Sequence, residues 1–343
     1  MAKLLHEIEW EKPLLTPSGD IGYETDLMGR LSPWLREAVG SLADADRVAH
    51  APLDLMGVAY FVTSQENACR YCYGTARAVM KIAGFKEKRI QDLEHEASLA
   101  GGLTRRVVEF TRKLARSNPS PAREDHAALV AAGLSEEAVS EITANVVKAC
   151  FANRIATFLA LPPNEALERL PDGLFGRVRS LFTGRKYAGR KTPPPDQFRN
   201  EGPCARTIAA AGNNPIAVWL RGLTDGWFSS ELLPTRSKLL LLAVVARQLG
   251  SRLCEQEAAE GLAREGFGAQ EIESLLSTLS ADSLTGLEVT LLRWTRETVW
   301  YEPRAIQNST RRLLAEVGEQ RALEAVGGAA VCNTLARLAL VRQ

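Results

Sequence analysis

The chain has 343 residues, of which 45% are apolar and 24% charged, and its formal net charge is +1. That length predicts two domains with full hydrophobic cores. The near-neutral balance gives no electrostatic footprint for nucleic acid. Met1 to Lys12 is polar and mixed in charge, without the apolar stretch of a secretion signal. The longest apolar run, Leu239 to Ala246, is far too short to span a bilayer. The expected setting is a reducing cytoplasm, with neither a membrane nor a nucleic acid as partner. In that setting, six cysteines read as free, catalytic or metal-binding rather than as a disulfide framework.

Ala, Leu, Arg and Glu dominate, and no sustained period-2 run of β-branched residues appears, so the chain is predicted to be all-α. His50 and Pro52 stand near the start of a helix that leads to Cys69-Arg70-Tyr71-Cys72. Asn67 is a candidate N-cap for the next helix, which puts Cys69 in its first turn and Cys72 in the following one. Gly84 closes that helix. Val107, Phe110, Thr111 and Leu114 share a helical face, Pro119 and Pro121 fall in connections, and Ser135-Glu136-Glu137 opens a helix after Gly133. From Pro162 to Pro203 the composition changes. Gly173 to Pro195 holds no acidic residue but contains Arg177, Arg179, Arg185, Lys186, Arg190 and Lys191. This stretch reads as a solvated linker. The sharper alternative is a basic strap over a site or anionic partner, with Leu174, Phe175, Val178, Leu181 and Phe182 on one short amphipathic helix.

Beyond the linker much of the first half returns. At a shift of 182 residues, Ala68-Cys69-Arg70-Tyr71-Cys72 falls on Gly250-Ser251-Arg252-Leu253-Cys254, and Gly84-Phe85 on Gly266-Phe267. Arg89 to Leu93 lies near Glu271 to Leu275. With small changes of register, Trp34-Leu35-Arg36 returns as Trp219-Leu220-Arg221, Phe110-Thr111-Arg112 as Trp294-Thr295-Arg296, and Asn153 and Ala156 as Asn333 and Ala336. Shared order and a nearly constant shift point to an internal duplication. The expected units are 1–162 with an intact CxxC, a Pro-rich basic linker 163–205, and 206–343 with a degenerate SxxC.

The intact pair carries the candidate chemistry. Unpaired N–H groups at a helix start and the helix dipole favour a thiolate at Cys69, Arg70 adds positive charge, and a thiol at i+3 can resolve a mixed disulfide. Glu66 would lie near the thiol if the helix begins earlier. Tyr71 and Tyr73 add hydroxyls, although core packing with a satisfied hydroxyl is the plainer reading for both. The four histidines, His6, His50, His95 and His126, read as surface or cap residues. A structural zinc site wants two CxxC-type pairs, and only one exists. Cys150, Cys204, Cys254 and Cys332 stand isolated in sequence, with Cys150 and Cys332 expected as small buried hydrophobes. Gly101-Gly102 and Gly327-Gly328 are no phosphate-binding fingerprint, and no serine nucleophile elbow appears. No cofactor and no metal are expected.

The layout resembles the carboxymuconolactone decarboxylase and AhpD-like superfamily. The resemblance runs from Asp54 through Pro162 on Cys69-Arg70-Tyr71-Cys72, Gly84-Phe85 and Asn153-Arg154-Ile155-Ala156, and in diverged form from about Pro215 to Val341. It implies two tandem AhpD-like helical modules forming an internal pseudo-dimer. It also implies a thiol–disulfide oxidoreductase or peroxidase-like enzyme working through Cys69 and Cys72 on a small peroxide or disulfide, regenerated by an external dithiol. The family's thiol peroxidases carry a histidine four residues after the second cysteine and a glutamate about three turns before the first. Here those positions are Ala76 and Gly57, and Ala258 and Leu239 in the second half. The proton relay that would deprotonate the attacking thiol is therefore missing. Family habit favours Cys72 as the first attacker, and the helix-start argument favours Cys69. Two other classes remain open. One is a lyase or isomerase of the decarboxylase branch; the other is a non-catalytic scaffold whose second module replaces a dimer partner. Further homo-oligomerisation through the modules stays open as well.

Overall fold

A computed structural model describes residues 4–17, 23–42, 49–82, 85–95, 101–121, 123–163 and 198–342. Among these residues the chain is all-α, with no strand. In the first half the helices are α1 (Tyr23–Arg30), α2 (Pro33–Gly40), α3 (Leu53–Glu66), α4 (Arg70–Ile82), α5 (Glu87–His95), α6 (Gly102–Arg116), α7 (Arg123–Ala131) and α8 (Glu136–Phe158). The second half holds α9 (Ala205–Ala209), α10 (Pro215–Ser229), α11 (Thr235–Leu249), α12 (Arg252–Arg264), α13 (Ala269–Thr278), α14 (Gly286–Glu297), α15 (Pro303–Val317) and α16 (Glu319–Leu340). Gly84 and the proposed linker helix around Leu174 to Phe182 lie outside the described residues.

Local chemistry accounts for the main elements. Ser135 caps α8, its Oγ accepting the Ala138 N–H at 3.2 Å. Asn214 caps α10 by accepting the N–H groups of Ile216 and Ala217, both at 3.0 Å, and Pro215 opens that helix. On α6 the buried stripe is Val107, Val108, Phe110, Thr111, Leu114 and Ala115, while Arg105 and Glu109 pair on the outside. Two helices have no such polar face. α8 and α16 are buried almost all round, and a helix of that kind is stable only inside other protein. They pack against each other and form the joint between the halves. By length and composition α16 could cross a membrane, but it is wholly enclosed here.

Around each long helix the same neighbours gather. In the first half α3 packs on α4, α6 and α8; in the second α11 packs on α12, α14 and α16. The two tryptophans matched in sequence are exchanged across the joint. Trp34 of α2 donates its indole N–H to buried Glu324 of α16 at 2.8 Å. Trp219 of α10 donates to Ala38 O of α2 at 3.2 Å and meets Phe151 of α8 edge-on, ring centroids 5.3 Å apart. A pair of arginines is exchanged in the same way. Arg154 of α8 donates to Thr298 O and Val299 O, just past the end of α14. Arg337 of α16 donates to Ala115 O, in the last turn of α6, at 3.1 Å. Each half therefore caps a helix C-terminus of the other, where the dipole favours a cation.

Glycine makes the tryptophan exchange sterically feasible. A Cβ on Gly226 of α10 would stand 2.8 Å from Trp34 Cβ, an atom that moves only with the α2 backbone. Gly222, one turn earlier, has open space beyond its Cα. Gly226→Ala should therefore destabilise the protein by about 1–3 kcal/mol through overpacking. Gly222→Ala should gain up to about 1 kcal/mol from helix propensity. Paired thermal and urea melts test this, and a Gly226→Ala protein as stable as the Gly222→Ala one would refute the tight joint.

Candidate functional site

Cys69 and Cys72 lie at the start of α4, where the chain turns sharply out of α3. The turn is made by Ala68 at φ 46°, a left-handed conformation that disfavours a residue with a Cβ. Gly250 holds the matching place in the second half, at φ 69°. The backbone then locks. Cys69 N–H donates to Ser64 O at 3.1 Å and Tyr73 N–H to Cys69 O at 2.8 Å; Ser251 N–H to Ala246 O at 2.8 Å and Glu255 N–H to Ser251 O at 2.9 Å repeat both bonds.

Asn67 is not the N-cap that its residue type suggests. It ends α3, and its amide points inward, donating to Asn153 Oδ1 at 2.9 Å and to Cys150 Sγ at 3.6 Å. The residue immediately before α4 is Cys69 itself. Its sulfur accepts the Cys72 N–H at 3.3 Å, the bond an N-cap oxygen usually makes. Both sulfurs are reduced, with Cys69 0% and Cys72 3% exposed. They share a small cluster with Ala156 under Trp10, Tyr71 and Leu161. Burial and the neighbouring Cys69 thiol push the Cys72 thiol well up, against a smaller opposing pull from the Asn153 amide.

The other expected helpers fall in three different places. Tyr71 covers the thiols and donates its hydroxyl to Glu24 at 3.3 Å. Tyr73 turns the other way, into a second cluster with Phe61 and Ile90, and gives its hydroxyl to Glu94 at 2.7 Å. The Glu66 side chain is buried against α6, ion-paired with Arg112 at 2.8 Å and with Arg116. Of the histidines, His50 is exposed, His126 pairs with Glu136 at 2.6 Å, and His6 and His95 line a surface cleft with Arg70 and Arg77. Among the described residues no group of three or more His, Cys, Asp or Glu stands in a metal-binding arrangement.

Residues that the sequence did not mark complete the surroundings. Tyr60 of α3 lies close enough to both thiols for their charge to oppose its ionisation, which burial already disfavours. Its position, one turn after Gly57 and one turn before Ser64 on the same face, was the available signal. Tyr301 arrives from the second half and donates to Cys150 O at 2.8 Å, with Arg154 4.1 Å from its ring centroid; burial and, by smaller amounts, Cys150 and then Cys69 hold its phenol protonated against the pull of Arg154 and Arg337. Desolvation raises Tyr71 in the same way. Phenols that stay protonated cannot take a thiol's proton at neutral pH, and the Tyr71 and Tyr301 hydroxyls are already given to Glu24 and to Cys150 O. The cysteines read as isolated also change status. Cys150 touches Asn67 beside the pair. Cys204, Cys254 and Cys332 come together in the second half because α9 folds back onto α12 and α16.

Comparison with family models, with curated proteins and with solved structures finds no match.

The cover over the sulfurs is the N-terminal segment. Trp10 Nε1 donates to Leu161 O at 2.9 Å, Glu11 N–H to Gln307 Oε1 at 3.0 Å, and Leu14 N–H to Leu159 O at 2.9 Å. Reagent access requires this segment to lift. Trp10→Ala removes roughly 1.5–3 kcal/mol of apolar burial from the closed state and should speed thiol labelling in the folded protein about tenfold or more. Stopped-time labelling with an alkylating reagent checks it. Unchanged rates would show that the sulfurs are reached by another route.

Proposed function

We propose that Cys69 and Cys72 form a dithiol–disulfide pair, and that the chain is a thiol–disulfide oxidoreductase built from two diverged AhpD-like modules. The observation that carries the reading is the Cys69 sulfur at the N-cap of α4, one turn from the Cys72 sulfur and accepting the Cys72 N–H. Recurrence of helix order, packing neighbours and turn geometry in the second half supports the two-module reading. With a peroxide, one thiolate breaks the O–O bond, an alcohol or water leaves, and the second thiol displaces water from the sulfenic acid. With a disulfide substrate, two exchange steps release two thiols. Either route ends in the Cys69–Cys72 disulfide, and an external dithiol reverses it. Six free cysteines suit a reducing compartment such as the cytoplasm.

No residue in this reading serves as a dedicated base. Ala76 is buried among Val58, Phe61 and Tyr73, and Glu66 is held by arginines. The pair should therefore react slowly at neutral pH. Because the Cys72 pKa is raised, its thiolate fraction grows about tenfold per pH unit below that pKa, and oxidation through Cys72 should follow the same slope from pH 7 to 9. Counting free thiols before and after mild hydrogen peroxide, with the products mapped by mass spectrometry, tests both statements. The expected result is reversible loss of two thiols, recovered as a Cys69–Cys72 link, at a rate that climbs with pH. A second reading, a non-catalytic scaffold, draws on the near-complete burial of both sulfurs. It gains if the two thiols stay reduced until the protein unfolds, an outcome that sinks the redox reading.

A further inference from the structure

The degenerate half holds a thiol site of its own. Cys254 has lost its partner at i−3, since Ser251 stands there. The chain nevertheless brings two other sulfurs to it. Cys204 occupies the N-cap of the short helix α9, and α9 packs across α12 and α16, which carry Cys254 and Cys332. Two ties on either side of Cys204 fix it. Arg221 donates to Pro203 O at 2.7 Å. Glu257, one turn beyond Cys254 on α12, accepts the Arg206 N–H at 2.9 Å and the Thr207 N–H at 3.0 Å. The first turn of α9 is thereby laid on the turn of α12 that bears Cys254. Cys204 and Cys332 are both near enough to Cys254 to oppose its ionisation, and Cys204 contributes more.

Only one of the three sulfurs reaches an opening. Cys204 is 6% exposed and forms part of the wall of a cleft of about 440 Å³, whereas Cys254 and Cys332 are fully buried. The cleft is lined by Leu239, Leu242 and Phe228 together with Glu257, Glu260, Glu265 and Arg264, and Arg206 pairs with Glu260 at 2.7 Å. An apolar lining favours uncharged, apolar molecules, whereas an anion must shed hydration to enter.

We propose that Cys204 and Cys254 form a second redox pair, oxidised to a disulfide by uncharged organic hydroperoxides that enter this cleft. The Cys204 thiolate breaks the O–O bond, giving Cys204 sulfenic acid and an alcohol. Cys254 then displaces water from that sulfur, forming the S–S bond. The sum is two thiols and one hydroperoxide converted to one disulfide, one alcohol and one water. Burial and Glu257 push the Cys204 thiol up to about 12, so the step is slow and suits occasional oxidation rather than rapid turnover.

The test uses the full chain with Cys69→Ser and Cys72→Ser, so that failure of the first pair leaves it untouched. The folded protein is treated with cumene hydroperoxide, and its cysteine-containing peptides are mapped by mass spectrometry with and without dithiothreitol. The expected product is a reducible Cys204–Cys254 link. Cys332→Ser should retain the link, Cys204→Ser should abolish it, and Glu257→Ala should lower its yield several-fold by releasing α9. An anionic oxidant such as peroxymonosulfate should give at least about threefold less link under matched conditions, and equal yields would overturn the cleft route. A Cys254–Cys332 link, or three thiols recovered reduced while the native circular-dichroism spectrum persists, would overturn the proposal. If Cys204→Ser does not fold, the parent chain's mapped link still decides the matter.

Discussion

Two buried arginines of the same sign hold the halves in one arrangement, and much else follows from their placement. Arg154 and Arg337 are both 0% exposed, and none of their hydrogen-bond acceptors is a carboxylate. Burying such a charge costs several kcal/mol unless hydrogen bonds replace the lost water. Each guanidinium recovers part of that loss at the other half's helix end, through carbonyls at the negative pole of α14 or α6, while Arg154 Nε and Arg337 Nη2 are buried without a partner. Asn333 Oδ1 adds a bond to Arg337 at 2.6 Å, and Tyr301 offers its ring to both cations, at 4.1 and 5.6 Å. Bonds to charged groups contribute about 1.5–3 kcal/mol each, so the arrangement balances only when both caps are made. Burial pulls Arg154 down to about 10, and the Arg337 charge adds a smaller push in the same direction. Both caps cross the same α8–α16 joint, so undocking the halves would break them together.

The joint also shapes the thiol site. α8 carries Arg154 on the side that meets the second half, and Asn153 and Ala156 on the side that meets Cys72. Tyr301, drawn in by Arg154, reaches Cys150 O and comes within electrostatic reach of Cys69. The surroundings of the pair are therefore assembled from both halves, and a single module would lack the tyrosine. What these surroundings supply is donors, the Cys72 backbone N–H and the Asn153 amide. Donors stabilise a thiolate once formed but do not collect its proton, so the rate of forming it passes to solvent and to the opening of the Trp10 cover.

Much of this was legible in the sequence where a pattern repeats over several residues. The all-α class, the helical face of α6 and the Ser135 cap need only periodicity and propensity, and all appear as expected. Single-residue inferences fared differently. Asn67 has an N-cap's chemistry, but the left-handed turn falls at Ala68, one residue later, so Asn67 closes one helix and Cys69 opens the next. Glu66 precedes Cys69 by three residues, yet a helix end intervenes and its carboxylate meets Arg112 and Arg116 of α6 instead. Tyr301, Arg337 and Cys204 act through contacts between segments far apart in the chain, which no local spacing encodes.

The same physics separates the two helix starts, Cys69 before α4 and Ser251 before α12. In the first half the Cys69 sulfur accepts an N–H at helix start, a bond that a large, polarisable atom reaches at 3.3 Å. Ser251 keeps the backbone turn but makes no cap bond, and its hydroxyl is buried without a partner. Such an orphan costs about 1–3 kcal/mol, so a serine here brings no structural gain. Cys254 beneath it has neighbours of another origin. The segment entering each half lies across that half's thiol, Trp10 over Cys72 and Cys204 to Thr207 beside Cys254. In the first half that segment is an apolar cover. In the second it carries a sulfur, placed where a cleft meets the buried cysteine.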